Sequence, residues 1–152
     1  MNPDIGRHRP EHGILTNVGE PTIVFVTVCT HERVPWLASA EAHDMMVSVW
    51  REARAWLVGR YVLMPDHTHF FCAPGAQDVS LERWMSYWKR LYTQRTAHEH
   101  WRWQSGHWDT LLRRHENYDA KWEYVRQNPV RAGLVSDPDA WPYQGELNVL
   151  QW

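Results

Sequence analysis

Two short apolar runs separated by a single break constrain this chain more than any other feature. Residues 60–64 (RYVLM) and 67–73 (HTHFFCA) are rich in β-branched and aromatic side chains, and only Pro65 and Asp66 stand between them. Proline fixes one backbone angle and removes a donor, so the pair reads as two strands of an antiparallel hairpin. A helical period lies on each side. Residues 39–57 put Ala42, Met45, Met46, Val49, Ala53 and Trp56 on one stripe, with Ser39 available as the N-cap. Residues 80–97 do the same with Leu81, Trp84, Met85, Trp88, Leu91 and Tyr92.

The flanking segments complete the pattern. Residues 22–30 (TIVFVTVCT) read as a strand, and residues 101–114 as a strand followed by a turn. A third helix covers 116–127 and stops at Asn128-Pro129, because the residue before proline disfavours the α region. The Pro- and Trp-rich tail from Val130 onward is expected to pack irregularly. The order β, α, β, β, α, β, α defines an α+β domain, a ferredoxin-like split βαβ with an antiparallel sheet and helices mainly on one face. Residues 1–20 are polar and broken by Gly and Pro, a flexible N-terminal arm, which leaves 21–152 as a single domain.

A chain of 152 residues can bury a core of its own. Cys29 and Cys72 lie inside apolar runs and read as small buried hydrophobes, without the spacing of a disulfide framework or zinc site. No apolar run approaches the roughly 20 residues of a membrane span, and the first residues (MNPDIGRHRP) lack a signal peptide's apolar stretch, so a cytoplasmic protein with no membrane partner is expected. No phosphate-binding GxxxxGK[ST] loop is present, so no nucleotide cofactor is expected.

A net charge of −2 argues against a generic nucleic-acid coat, but the distribution is more informative than the total. Lys89 and Lys121 are the only lysines, and every other basic side chain except histidine is arginine, whose planar fork suits phosphates and bases. Arginines alternate with aromatics in WMSYWKRLYTQR and WRWQSGHWDTLLRR, as a single-strand surface requires. A tryptophan-rich core with a solvated rim satisfies the same composition.

His67 and His69 are two apart in a strand, so both imidazoles project from one face while Thr68, Phe70 and Cys72 project from the other. Two neutral imidazoles can share one divalent ion and leave positions for a third ligand, water and phosphate oxygens. H-x-H is a common pattern, and a polar face with two unrelated histidines accounts for it as well. The third helix also divides into faces. Tyr118, Trp122 and Val125 form its apolar stripe, whereas Asn117, Lys121, Tyr124 and Asn128 share a polar one. Tyr124 therefore lies off the core-facing side, beside a lysine and an amide oxygen able to bind a hard cation. An ordinary surface tyrosine fits that position equally well.

Taken together, the motifs MPDHTHFF, YVRQNPVRAGLV and PDAWPYQ resemble those of the single-tyrosine HUH transposases, and most nearly their REP-associated branch. The likeness runs from FVTVCTHERVPWL through WQSGHWDTLLRRHENYDAKWEYV into the tail. It implies a ferredoxin-like fold, a Mg or Mn cofactor, His67 and His69 as metal ligands, Asn128 as the third, and Tyr124 as nucleophile. The implied substrate is single-stranded DNA with a hairpin, cleaved so that the tyrosine joins a 5′-phosphate and a 3′-hydroxyl is freed. Two positions depart from the family pattern. Thr68 lies where a bulky hydrophobe is usual, and Thr110 where many relatives carry histidine.

The outer stripe of the second helix supplies the candidate DNA surface, with Arg83, Tyr87, Arg90 and Gln94 in line and Lys89 and Arg95 beside them. Arg113, Arg114 and Lys121 extend it. A monomer is favoured over a homodimer, since no long apolar helix face is left uncovered. Two other readings use the same residues: a hairpin DNA- or RNA-binding module without cleavage, and a hydrolase whose nucleophile is water.

Overall fold

A computed structural model describes residues 22–112 and 117–151. The expected arm at 1–20 and the two arginines Arg113 and Arg114 lie outside the described residues. Five strands form one antiparallel sheet in the order β4-β1-β3-β2-β5. They are β1 Val24–Cys29, β2 Trp56–Leu63, β3 His67–Pro74, β4 Trp108–Leu111 and β5 Gln144–Glu146. The first four have the ferredoxin-like order, and β5 extends the β2 edge.

The two long helices, α1 Ala40–Glu52 and α2 Leu81–Arg95, begin where serines can cap them. Ser39 accepts from the amide of Ala42 and Ser80 from that of Arg83. Both helices cover the same sheet face. There Val24, Val26, Val28, Phe70 and Cys72 pack against Trp50, Trp84, Met85 and Trp88 in the larger of two cores. Seven tryptophans belong to this core, so the solvated-rim reading of the composition accounts for most of them. Both cysteines are free and buried, as expected.

The opposite face is covered by α3 Tyr118–Val125 and the tail, over a smaller core of Ile23, Phe25, Val62, Phe71, Trp141 and Leu150. A bulge in β2 sets where α3 sits. The β2–β3 register shifts between Val58 and Tyr61, and the Arg60 amide freed there donates to the Tyr118 hydroxyl at 3.0 Å. A Cβ on Gly59 would lie 2.6 Å from that hydroxyl, so only glycine lets α3 approach so closely.

Four boundaries differ from the sequence reading. Within 101–114 the strand comes late, as β4 at Trp108–Leu111, after an irregular stretch instead of before a turn. The first helix ends at Glu52, and Trp56 opens β2, pairing with Pro74. The Gly59-Arg60 bulge interrupts the strand's alternation and hides its first four residues. The third helix ends at Val125, yet the chain turns helical again as α4 Asn128–Arg131, with Pro129 in a first turn where its missing amide costs nothing. The tail is also more regular than expected. Gln144 to Glu146 pair with β2, and the Trp141 indole donates to the Leu63 carbonyl at 2.9 Å.

Candidate catalytic site and nucleic-acid surface

The period of two in β3 divides its side chains as the sequence predicts. Thr68, Phe70 and Cys72 enter the α1–α2 side, and the hydroxyl of Thr68 donates to the Val62 carbonyl at 3.0 Å. That bond satisfies the buried hydroxyl within the sheet. His67 and His69 project from the other face, their rings 4.8 Å apart and nearly perpendicular.

Each imidazole is held through Nδ1. Thr27 Oγ1 lies 2.8 Å from Nδ1 of His69, and Asp66 Oδ1 lies 2.8 Å from Nδ1 of His67. A carboxylate accepts only, so it selects the tautomer of His67 protonated at Nδ1, with the Nε2 lone pair available to a cation. Burial pushes both imidazoles below their ordinary pKa, the fully buried His69 furthest, and His67, Arg131 and Lys121 push His69 in the same direction. Both rings are thus neutral, the state a metal requires.

Asp66 is itself held. Burial raises its carboxyl, but hydrogen bonds from Arg33 and His67 outweigh burial and bring it below the usual carboxylate range. Arg33 Nε donates to Oδ2 at 2.9 Å. Thr30 fixes the Asp66 backbone carbonyl through its amide at 2.9 Å and its hydroxyl at 3.1 Å. Arg33 reaches Asp66 from a 3-10 turn, His31–Arg33, in which Glu32 and Arg33 both take positive φ (55° and 58°). Two successive non-glycine residues in that region cost about 1–3 kcal/mol each, and such strain gathers at functional sites.

The other half of the site comes from α3 and α4. Phe25 stacks on His69 at 5.4 Å, and Lys121 Nζ lies 5.2 Å from the Phe25 ring, so the polar stripe of α3 reaches the histidine face. Tyr124 is 56% exposed, in contrast to the buried Tyr118 and Val125 one stripe away. The Arg131 guanidinium lies 4.2 Å from the Tyr124 ring and donates to its backbone carbonyl at 2.7 Å. Asn128 donates its amide to the Val125 carbonyl at 2.8 Å, and its Oδ1 has no partner among the described residues.

Among the described residues, no three His, Cys, Asp or Glu side chains converge to hold a metal. His67 and His69 offer two imidazole nitrogens side by side, and Asn128, on the α4 side, keeps a free neutral oxygen. Such a set supplies no negative charge, so a divalent ion bound there would keep positions and charge for phosphate oxygens. Sequence reasoning missed Thr27, Arg33, Asp66 and Arg131. Asp66 had a local signal, since it directly precedes a histidine. The others reach the site only through strand pairing and helix packing.

The α2 residues are not brought to this site, because α2 covers the opposite sheet face. Arg83, Tyr87 and Arg90 line a cleft of about 760 Å³ with Arg54, Glu52 and Glu82. This cleft lies on the opposite side of the sheet from the paired imidazoles. Lys89 donates to the carbonyls of Gln104 (3.1 Å) and Gly106 (2.6 Å) and secures the loop before β4. Arg95 pairs with Glu52 at 2.5 Å and ties α2 to α1.

Fold and site together define an α+β protein of ferredoxin-like order with two adjacent histidines, His67 and His69, on the sheet face that α3 crosses. No family model matches the chain. It is 26% identical over 91 residues to the REP-associated tyrosine transposase of Escherichia coli (strain K12), a match covering 59% of this chain and 54% of that protein. The chain thus spans about half the length of that curated relative. Its fold matches a REP-associated tyrosine transposase solved bound to a REP hairpin, with a TM-score of 0.66, 20% identity, and coverage of 82% of this chain and 75% of that one. The chain resembles REP-associated tyrosine transposases in sequence and shares their fold.

Proposed function

We propose that this chain is a metal-dependent single-stranded DNA endonuclease and strand transferase that acts at hairpin DNA with Tyr124 as nucleophile. The observation that carries this reading is the pair of neutral imidazoles, each fixed through Nδ1, on the face crossed by the helix that exposes Tyr124. The Tyr124 oxygen attacks phosphorus in line, the bond from phosphorus to the 3′-oxygen breaks, and a tyrosine–5′-phosphate bond replaces it. The phenol loses its proton to solvent and the leaving 3′-oxygen gains one. A phosphodiester is exchanged for a phosphodiester, so the strand can be rejoined without a nucleotide cofactor.

His67, His69 and Asn128 would hold a Mg or Mn ion, which supplies Lewis acidity toward the phosphate oxygens when bound. Arg131 restrains the Tyr124 ring and Lys121 adds positive charge beside it, so both favour an approaching phosphate. Arg83, Tyr87 and Arg90 would receive DNA away from the reacting bond.

The test is incubation with labelled hairpin-bearing single-stranded DNA and Mn or Mg, resolved on denaturing protein gels. A protein–DNA adduct lost with chelator and in Tyr124→Phe is expected. Cleavage that persists in Tyr124→Phe would replace this reading with a water-using hydrolase. Tight binding without cleavage would leave a hairpin-binding module.

A further inference from the structure

Of the ten tryptophans among the described residues, nine have an aromatic neighbour. Trp108 is the exception. It is only half-buried and stands on β4, an edge strand. Strand register sets the direction of its side chain. Trp108 pairs with Thr27, Thr27 pairs with His69, and His69 pairs with Val62, so these residues form one row on the histidine face. Two strand spacings separate the strands of Trp108 and His69, about 10 Å. Thr110, two residues on and therefore on the same face, pairs with Phe25, over which Lys121 lies.

Asp109, between them, points the other way and is buried with His107, whose Nε2 lies 2.9 Å from Asp109 Oδ2. That buried pair fixes which way β4 faces and so holds Trp108 toward the site. An indole on this row has a wide π surface, no charge and no ring partner within the described protein.

We propose that Trp108 is a stacking platform for an unpaired nucleobase of the strand whose phosphate reaches His67 and His69. The proposal rests on the single-stranded DNA reading above and adds to it a residue that selects an unstacked base. Stacking on an aromatic side chain is sequence-tolerant and strong, so a single indole can set where an unpaired strand lies.

The test uses the Tyr124→Phe protein, so that binding is read without cleavage, and a fluorescent hairpin DNA carrying an unpaired tail. The fluorescent base 2-aminopurine is placed at each tail position in turn. One position is expected to be quenched on binding. Adding Trp108→Ala should release that quenching and weaken binding roughly tenfold, about 1.4 kcal/mol. Adding Trp108→Phe should recover most of both. The slope of log Kd against log salt should stay unchanged, because no charge is removed.

Equal affinity and equal quenching with and without Trp108→Ala would overturn the platform. Protein that stacks the tail base but never forms an adduct when Tyr124 is restored would remove the nuclease reading and leave the platform standing. Protein that binds no single-stranded tail would remove both.

Discussion

The two faces of the sheet are built from the same strands and used in opposite ways. Under α1 and α2 the strands meet a closed aromatic core: Phe70, Trp84, Trp88 and Tyr92 are almost fully buried, and the Trp84 indole donates to the Ala53 carbonyl at 2.7 Å. Under α3 the core is smaller, and beside it lie two desolvated imidazoles, two cations and an exposed phenol. Alternate residues of β3 serve each face, so the closed core and the candidate site are separated by one position along a strand. A rigid face behind the site lets the other face carry buried polar groups and a strained turn.

This separation breaks most visibly at adjacent positions. Phe70→Ala should lower unfolding free energy by about 3–5 kcal/mol, read by urea denaturation, through the cavity it opens among the tryptophans. His69→Ala should cost about 1–3 kcal/mol, mainly from leaving Thr27 unpaired, yet abolish metal-dependent adduct formation. Equal stability losses with activity retained in His69→Ala would erase the distinction between faces.

Thr27→Val and Asp66→Asn sharpen the comparison within the site. Each removes a group that orients an imidazole without removing the ring, and each should weaken Mn binding about 10–100-fold by titration calorimetry. Unchanged affinity would reduce the Nδ1 contacts to packing. The smallest effect is expected on the far face. Arg83→Ala with Arg90→Ala should weaken DNA binding several-fold and lower the salt slope by roughly 1.4, about 0.7 per phosphate contact on a single strand. The adduct rate at saturating DNA should not change. An unaltered slope would take α2 out of the DNA path.

Much of this was legible before the fold. The hairpin at Pro65-Asp66, the Ser39 cap, the buried stripe of α2 and the direction of His67 and His69 follow from local chemistry and from periods of 2 and 3.6. The start of β2 was hidden because Gly59 and Arg60 form a bulge that Tyr118, far along the chain, completes. The restart of the helix at Asn128 was hidden because a proline that ends one helix can also begin another. At the candidate site, the paired histidines carry a motif, whereas Thr27, Arg33 and Arg131 become meaningful only through β1–β3 register, a strained turn and α4. Arginine and tryptophan counts alone could not separate core from surface, since seven tryptophans close one core and Trp108 faces the other side.

Trypsin should cut after Lys121 and Arg126, releasing a peptide of residues 122–126 (WEYVR) that holds a single tyrosine. The most direct test of Tyr124 is therefore mass spectrometry of that peptide after reaction with hairpin-bearing single-stranded DNA and Mn, followed by nuclease trimming. A 5′-phosphonucleotide on Tyr124 is the predicted result. DNA cleaved with this peptide unmodified, or a nucleotide found on a different peptide, would contradict the account.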